Sequence, residues 1–359
     1  MRRKLRYNHL TVFMSYWRQF ARFFAATQLL PALESGEETL VGGQAVLEGV
    51  MMRSPHAFAV AVRKPSGAVV CHAEPLERPS EKHKWMGWPL VRGVMTLGQA
   101  MMLGFRALRI SVDAALEQIA EDEGKKKLEI SGWVAAVNLL FSLGFFIVMY
   151  KFVPLLAATE LKRVNPMFGN HFIFNLTDGV IRIAIFLLFL WGISRMRDIA
   201  RLFEYHGAEH KTVFAFESGE PVTVEAAQKY VTWHPRCGTS FLITVMLISI
   251  VIYTLAPVAS AAPSNATGLR QIFDHLFWMR FALRLALLPV IAGLSYEIIR
   301  YAAKQRGAKT LFTLLTAPGL WLQRITTRPP DNDEVQCAIM ALDQAMELEK
   351  QHGGELVLA

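Results

Sequence analysis

Four long apolar segments constrain this chain more than any other feature of its sequence. Each approaches the ~20 residues that a helix needs to cross the hydrocarbon core of a bilayer. Because lipid offers no hydrogen-bonding partners, such segments must satisfy their backbone groups internally, as helices do. The four segments are residues 132–150, 179–194, 240–259 and 281–299. The sequence therefore predicts an α-helical multi-pass membrane protein with about four transmembrane helices, and the lipid bilayer as its first partner.

The lysines and arginines predict how these helices are oriented. Positive residues accumulate in the loops on the cytoplasmic side of a membrane protein. Residues 1–131 contain 18 of them and residues 195–239 contain six, whereas residues 159–178 contain two. We therefore expect a protein of the cytoplasmic (inner) membrane, with both termini and the 195–239 loop in the cytoplasm.

The net charge of +8 follows from the same distribution. Basic segments beside transmembrane helices are attracted to anionic lipid headgroups. We therefore expect anionic headgroups as partners, with other membrane proteins as a further option, and we do not expect nucleic acid.

Local patterns divide the chain into four regions. Residues 57–63 and 68–74 alternate in character around a "KPSG" turn, which predicts a β-hairpin. Residues 88–120 are apolar but interrupted by arginines, which predicts an amphipathic helix that lies on or enters the interface. The alternative, a fifth span, would break the alternation of charge. The predicted regions are a basic amphipathic leader (1–39); a small cytoplasmic β-containing N-terminal domain with that hairpin and amphipathic helix (40–130); a four-span membrane domain with the 195–239 loop (131–305); and a cytoplasmic tail (306–359). The tail holds a re-entrant or interfacial segment and a terminal helix that Asp331 can cap.

A metal-site pattern, "HGAEH", lies in the 195–239 loop and contains His206, Glu209 and His210. Residues i and i+4 of a helix share a face, so both imidazoles can reach one ion. The order H-x-x-E-H is that of the inverzincins. Neutral imidazoles leave the charge of Zn²⁺ intact, and the carboxylate can take a proton from water. The alternative is a polar interfacial helix whose histidines and glutamate contact headgroups or one another.

A second cluster, "WHPRCGTSF", precedes the third apolar segment. It contains His234 and Cys237, three residues apart, and either could be a third metal ligand. Because the second segment ends and the third begins on the same predicted side, this cluster and "HGAEH" should be neighbours. The alternative is a proline-glycine turn with incidental side chains.

Other charged residues are candidates for substrate contacts or for support of the metal ligands. Glu297 lies near the inner end of the fourth segment, where a buried acid is costly and indicates a partner or a function. Its simplest partner is Arg300, and the alternatives are a metal or Arg236. Glu48 and Arg53 of "GGQAVLEGVMMR" form either a salt bridge or substrate contacts.

Three arginines in or at the edge of the apolar segments are expected to contact lipid headgroups. Arg280 and Arg284 are predicted to extend from the outer end of the fourth segment to the headgroups, and Arg182 to do so from the second. They therefore give no support to a charged transport pathway.

Five motifs together resemble the YqhQ-like family of bacterial membrane proteins: "GGQAVLEGVMMRSP", "EYHGAEHKT", "HPRCGTSFL", "LSYEIIR" and "PGLWLQRITTRPPD". The resemblance extends over about residues 40–345. The family is a domain of unknown function that is described as a predicted metal-dependent enzyme. The resemblance therefore implies a metal but no established reaction, substrate or fold. By motif it directs attention to Glu48, Arg53, His206, Glu209, His210, His234, Arg236, Cys237 and Glu297.

Two functions of different classes remain open on the sequence. The first is a metal-dependent, hydrolase-like membrane enzyme whose Zn²⁺ is bound by His206, His210 and His234 or Cys237. Glu209 would be its general base, and its substrate would be lipid-linked or a membrane protein. The second is a non-enzymatic assembly or insertion factor, or a scaffold, with a structural metal or polar cluster. A transporter ranks third. A closed four-ligand site would favour the scaffold, since hydrolysis needs an open coordination position.

The charge pattern makes a prediction about topology. Reporter fusions at residues 168 and 265 should give the signal of an external location, and a fusion at residue 220 that of an internal one, because the basic segments stay in the cytoplasm. An internal signal at residue 265 would rule out the four-span arrangement.

Overall fold

The computed structural model describes residues 41–77, 83–123, 132–234, 237–255, 275–304 and 309–351. The predicted leader, residues 1–39, and Arg236 lie outside the described residues.

The N-terminal region forms a four-stranded antiparallel sheet in the order β1-β2-β3-β4. The strands are β1 Gly42–Val46, β2 Gly49–Arg53, β3 Ala57–Arg63 and β4 Val69–Pro75. The predicted hairpin is present as the β3–β4 pair, which closes between Arg63 and Val69. No strand was predicted for β1 and β2, which come from the glycine-rich segment. Every residue of both strands is buried, so the alternation of polar and apolar residues that usually identifies a strand is missing.

Helices cover both faces of the sheet. Helix α1, Val91–Glu123, packs Leu103 and Ala107 onto one face. On the other face lie α5, Arg197–Glu217, and the terminal helix α11, Asn332–Gln351. Neighbouring residues of β2 therefore point into different apolar clusters. This two-sided burial explains why the sheet tolerates so little polar sequence.

The terminal helix begins as the sequence predicts. The Asp331 carboxylate accepts a hydrogen bond of 2.7 Å from the backbone N–H of Glu334. The Glu334 carboxylate in turn accepts one of 3.0 Å from the backbone N–H of Asp331. This reciprocal pair is a capping box, and it satisfies two backbone donors at the helix start.

The described parts of the four predicted apolar segments lie in helices, and each helix is long and apolar enough to cross a membrane. The candidate spans are span 1, Ala136–Val164; span 2, His171–Ile193; span 3, Gly238–Leu255; and span 4, Phe277–Arg300. Span 1 consists of most of α2, Gly132–Ile147, then a π-helical turn, Val148–Phe152, and α3, Val153–Val164. Spans 2 and 3 are α4 and α7. Span 4 runs from α8, His275–Ala286, into α9, Leu288–Lys304.

The exposed surfaces of the spans are apolar, as are the surfaces on which the spans pack against one another. Leu140, Phe141 and Leu188 are among the large apolar side chains exposed on them. Trp133 and Trp191 are exposed near the ends of spans 1 and 2. Exposed aliphatic residues flanked by tryptophans are typical of helices that face lipid and end at its interface.

Two further α-helices lie near α5 in the described structure. They are α6, Val224–Gln228, and α10, Lys309–Thr326. Helix α10 packs closely on span 3, because a Cβ at Gly319 would lie 2.3 Å from the Ser240 hydroxyl. The chain after α10 passes α5 before it enters α11. Helix α5 therefore lies between the sheet on one side and the end of α10 on the other.

The three arginines inside the spans contradict the prediction that they reach the headgroups. Arg182, Arg280 and Arg284 are all buried, with only 1–3% of each residue exposed. Arg182 and Arg284 point to Asp178 of span 2, which the sequence analysis did not consider. A buried carboxylate attracts both side chains into the bundle, because the opposite charge compensates for part of their desolvation.

Candidate metal centre

Helix α5 buries the three charged or ligating side chains of "HGAEH". His206, Glu209 and His210 are all buried, and every residue from Tyr205 to Val213 is buried with them. The helix is enclosed here because the sheet covers one side and residues 326–328 cover another. Polar side chains in such a place require internal partners.

Each histidine is fixed through its Nδ1 atom. His206 Nδ1 lies 2.7 Å from the carbonyl oxygen of Thr326, and His210 Nδ1 lies 2.5 Å from that of Thr232. A carbonyl oxygen can only accept, so both Nδ1 atoms must carry the proton. Both Nε2 atoms then keep their lone pairs. Histidines that bind metals are commonly oriented in this way, with the distal nitrogen donating to a carbonyl.

A glycine makes the first of these contacts possible. A Cβ at Gly207 would lie 2.0 Å from the carbonyl oxygen of Arg328. The Arg328 backbone N–H donates a hydrogen bond of 2.9 Å to the Phe203 carbonyl on α5. Any larger residue at position 207 would separate this segment from the helix and move the Thr326 carbonyl away from His206.

Cys237 brings a sulfur to the two imidazoles from the start of α7. Its Sγ lies 3.3 Å from His206 Nε2. The ligating atoms of His206, His210 and Cys237 all lie within 4.8 Å of one another. Zinc–ligand bonds of 2.0–2.3 Å imply ligand separations of roughly 3.5 Å in a tetrahedral site. The three side chains therefore form a donor set that a small contraction would fit to one ion.

His234 lies next to this set but is not part of it. Its ring centre is 5.8 Å from that of His210, and its Nε2 lies 3.4 Å from the Glu217 carboxylate. The Gln323 side chain holds its backbone, accepting from the N–H at 2.7 Å and donating to the carbonyl at 2.8 Å. Of the four predicted ligands, the described structure thus gathers three.

Glu209 lies between the histidines and the sheet. Its carboxylate is 3.3 Å from His210 Nε2 and accepts a hydrogen bond from the backbone N–H of Gly43 in β1. A Cβ at Gly43 would lie 2.5 Å from Glu209 Cγ. The glycine of β1 therefore lets the strand close the site on this side.

Burial controls the protonation of the site. It raises the pKa of Glu209 to about 8 and lowers the pKa of His206 to about 4. It also lowers the pKa of His210, with repulsion from His206 and His234 adding to the effect. Burial raises the pKa of the Cys237 thiol to about 12. Near neutral pH the imidazoles are thus uncharged and ready to bind a cation, which would itself favour the thiolate and the carboxylate.

The remaining predicted residues have other partners. Glu48 sits in the β1–β2 turn with a φ of 52° and pairs with Arg201 of α5 at 2.7 Å, not with Arg53 as one alternative held. Arg53 is buried on β2 opposite Gly42 in the sheet register, beside the Gly43 contact. Both residues therefore lie where the sheet meets α5.

The main partner of Glu297 differs from the one that the sequence predicted. Its direct partner is Arg92 of α1, which forms a bidentate pair with it, and the backbone N–H of Leu90 also donates to it at 3.4 Å. Arg236, an alternative partner, lies outside the described residues. The sequence favoured Arg300 as the simplest partner, and Arg300 contributes only a weaker electrostatic attraction than Arg92. The reason lies in packing: a Cβ at Gly293 would lie 2.6 Å from the Leu90 carbonyl, so α9 brings Glu297 to the start of α1.

Sequence reasoning missed the residues that orient the ligands. Thr232 and Thr326 act through backbone carbonyls, which leave no trace in side-chain patterns. Gly43 and Gly207 act by having no Cβ. The adjacent glycines of "VGGQAV" and the glycine inside "HGAEH" were the available indications, since glycine in a strand or helix is often retained for close packing.

Comparisons with known proteins give a family but no activity. The family model described as "Protein of unknown function (DUF1385)" matches residues 88–348. The chain is similar to the "Uncharacterized protein YqhQ" of Bacillus subtilis (strain 168), with 31% identity over 314 residues, 86% of this chain and 92% of the relative. No solved structure matches. Function must therefore be argued from the site itself.

The packing at Gly207 makes a prediction. Gly207→Ala should destabilise the protein by about 1–3 kcal/mol, because the added methyl group meets the Arg328 carbonyl. Thermal unfolding in detergent would measure the change. Gly192→Ala is the matched control, since a Cβ there meets nothing within 4 Å. Equal stability of the two variants would contradict the close contact between α5 and residues 326–328.

Proposed function

Since the chain belongs to the DUF1385 family of proteins of unknown function, its activity has to be inferred from its own residues, and we propose that it is a metal-dependent, hydrolase-like membrane enzyme. The family assignment confirms the resemblance to YqhQ-like proteins. One observation carries the proposal. Two imidazoles whose Nε2 atoms keep their lone pairs and one thiol converge beside a buried carboxylate.

The donor set favours zinc. Nitrogen and sulfur ligands in a tetrahedral arrangement are typical of Zn²⁺, and catalytic zinc sites use three protein ligands with one open position. His206, His210 and Cys237 would hold the ion, and His234 would stay next to it. When bound, zinc supplies Lewis acidity toward water and substrate.

Glu209 would be the general base. Its side chain is buried and held by the Gly43 N–H, so it cannot swing away to solvent. A cation bound nearby would lower its pKa from about 8 and leave it ionised near neutral pH. Glu209 would then accept a proton from the attacking water and return it to the leaving group.

The position of the site suggests its substrate. Cys237 immediately precedes span 3, and Trp233 and Trp321 nearby are exposed. Tryptophans are enriched at the headgroup level of a bilayer, and the basic 195–239 segment supports a cytoplasmic location. We therefore expect a lipid-linked substrate or a membrane protein at the cytoplasmic interface.

A second function rests on the burial of the same residues. The sheet, α5, α7 and the end of α10 all meet here, so the cluster could hold the cytoplasmic domain onto the spans as a structural site. That arrangement would suit an assembly or insertion factor. The two functions differ in whether Glu209 handles a proton.

The first prediction from the proposal concerns metal content. The purified protein should contain about one zinc per chain, and His206→Ala and His210→Ala should each lose it, because each removes one of three ligands. Elemental analysis by mass spectrometry would measure the ratio. His72→Ala, which changes an exposed histidine of β4, is the control. Full metal content in the His210→Ala protein would rule out this metal site.

The second prediction separates ligand from base. Glu209→Gln preserves size and can still accept from the Gly43 N–H, but it cannot take up a proton. This variant should insert and keep its metal, yet fail to complement a strain that lacks the protein. Glu217→Gln, a change beside His234, is the control. If Glu209→Gln complements fully while His206→Ala does not, hydrolysis should be abandoned in favour of the assembly factor.

A further inference from the structure

A second buried polar group lies inside the candidate spans. All four spans contribute to it, and its members are nearly inaccessible to solvent. We call it the cationic cluster, and its members are Lys151 of span 1, Asp178 and Arg182 of span 2, Tyr253 of span 3 and Arg284 of span 4.

The members of the cationic cluster are in direct contact. Asp178 pairs with Arg182 at 2.5 Å and with Arg284 at 2.7 Å. The Tyr253 hydroxyl accepts from Lys151 Nζ at 3.1 Å and donates to the Arg284 carbonyl at 3.0 Å. The three cations lie 4.9–5.4 Å from the centre of the Tyr253 ring. They therefore converge on one point in the bundle.

Positive charge exceeds negative charge at this point. Two guanidinium groups, which stay protonated in proteins, face a single carboxylate. The cationic cluster is thus positive whether or not Lys151 carries its proton. The other acids of the described spans lie elsewhere: Glu297 pairs with Arg92, and Glu160 is about 13 Å along the helix from Lys151. Net charge inside a membrane is costly and usually indicates a bound counter-charge.

Some hydrogen-bond donors of the cationic cluster have no acceptor. Within the part of the chain that the structure describes, Arg182 Nε and Arg284 Nε have no hydrogen-bond acceptor. Arg182 donates its other hydrogen bonds to Asp178 and, at 2.7 Å, to the Ser249 hydroxyl, and Arg284 donates to the Asn175 amide oxygen at 3.0 Å. Arg284 Nη1 lies 2.7 Å from Asp178 Oδ1 as an ion pair without hydrogen-bond alignment. Planar guanidinium donors match the geometry of oxyanions, phosphate above all.

The helices deviate from regular geometry at the same level. The π-helical turn Val148–Phe152 contains Lys151, and α8 ends two residues after Arg284. Such interruptions of membrane helices often mark binding sites. Tyr253 is 16 residues beyond Cys237, so about 24 Å of helix separates the cationic cluster from the metal centre. The two sites are therefore distinct.

From these observations we infer that the cationic cluster is a binding site for a phosphate-type oxyanion, either the headgroup phosphate of an anionic lipid or free phosphate. This inference does not depend on the proposed hydrolase activity.

Thermal unfolding of the full-length protein in a neutral detergent tests the inference directly. Sodium phosphate, sodium chloride at equal ionic strength, phosphatidylglycerol and diacylglycerol would be added separately. Stabilisation by phosphate beyond chloride supports a free oxyanion, and stabilisation by phosphatidylglycerol beyond diacylglycerol supports a lipid headgroup. If neither difference appears, the inference is wrong.

Variants then locate the binding. Arg182→Gln should weaken the binding of the stabilising ligand about tenfold or more, because it removes a charge-assisted donor. Arg182→Lys keeps the positive charge but lacks the planar guanidinium group, so it should weaken binding less than Arg182→Gln. It preserves the test if the glutamine variant fails to fold. Arg163→Gln, an exposed arginine at the end of span 1, is the control. Equal weakening by Arg163→Gln, or none by either Arg182 variant, would overturn the assignment.

Discussion

The hydrogen bonds from His206 and His210 to two backbone carbonyls are the interactions on which the rest of the candidate site depends. They set the tautomer of each imidazole, so that His206 Nε2 faces Cys237 and His210 Nε2 faces Glu209. They also tie α5 to the chain before span 3 and to the end of α10. Because α5 also packs on the sheet through Gly43, one helix links the N-terminal sheet, the terminal helix and the spans. A site at this junction is held by several packed elements, which is the support that metal ligands require.

The two polar sites lie near opposite ends of span 3. The candidate metal centre lies at the start of span 3 and combines neutral donors with one acid, a set suited to a cation. The cationic cluster lies near the other end of span 3 and has excess positive charge, a set suited to an anion. Both interrupt apolar surroundings in which unpartnered polar groups are expensive. Their opposite electrostatic character underlies the two proposals, a cation at one site and an oxyanion at the other.

The sequence predicted the parts of the structure that depend on local chemistry. The apolar segments, the β3–β4 hairpin and the Asp331 cap follow from length, turn residues and capping rules. The common face of His206 and His210 follows from helical spacing. The missed parts depend on tertiary contacts. Asp178 forms ion pairs with Arg182 and Arg284, which therefore point into the bundle. Arg92 of α1 pairs with Glu297 of α9. Helices on both faces of the sheet bury every residue of β1 and β2, so these strands show no alternation of polar and apolar residues. None of these partners is close in sequence to the residue that it changed, except Asp178 to Arg182.

X-ray absorption spectroscopy at the zinc edge of the purified full-length protein is the most direct test of the central claim, since it reports ligand types and distances. The account predicts one sulfur ligand at about 2.3 Å and two imidazole nitrogens at about 2.0–2.1 Å, with one further light ligand from solvent. Cys237→Ser should abolish the sulfur contribution. Zinc without a sulfur ligand, or a closed site with four protein ligands, would contradict the assignment of an open centre built from His206, His210 and Cys237.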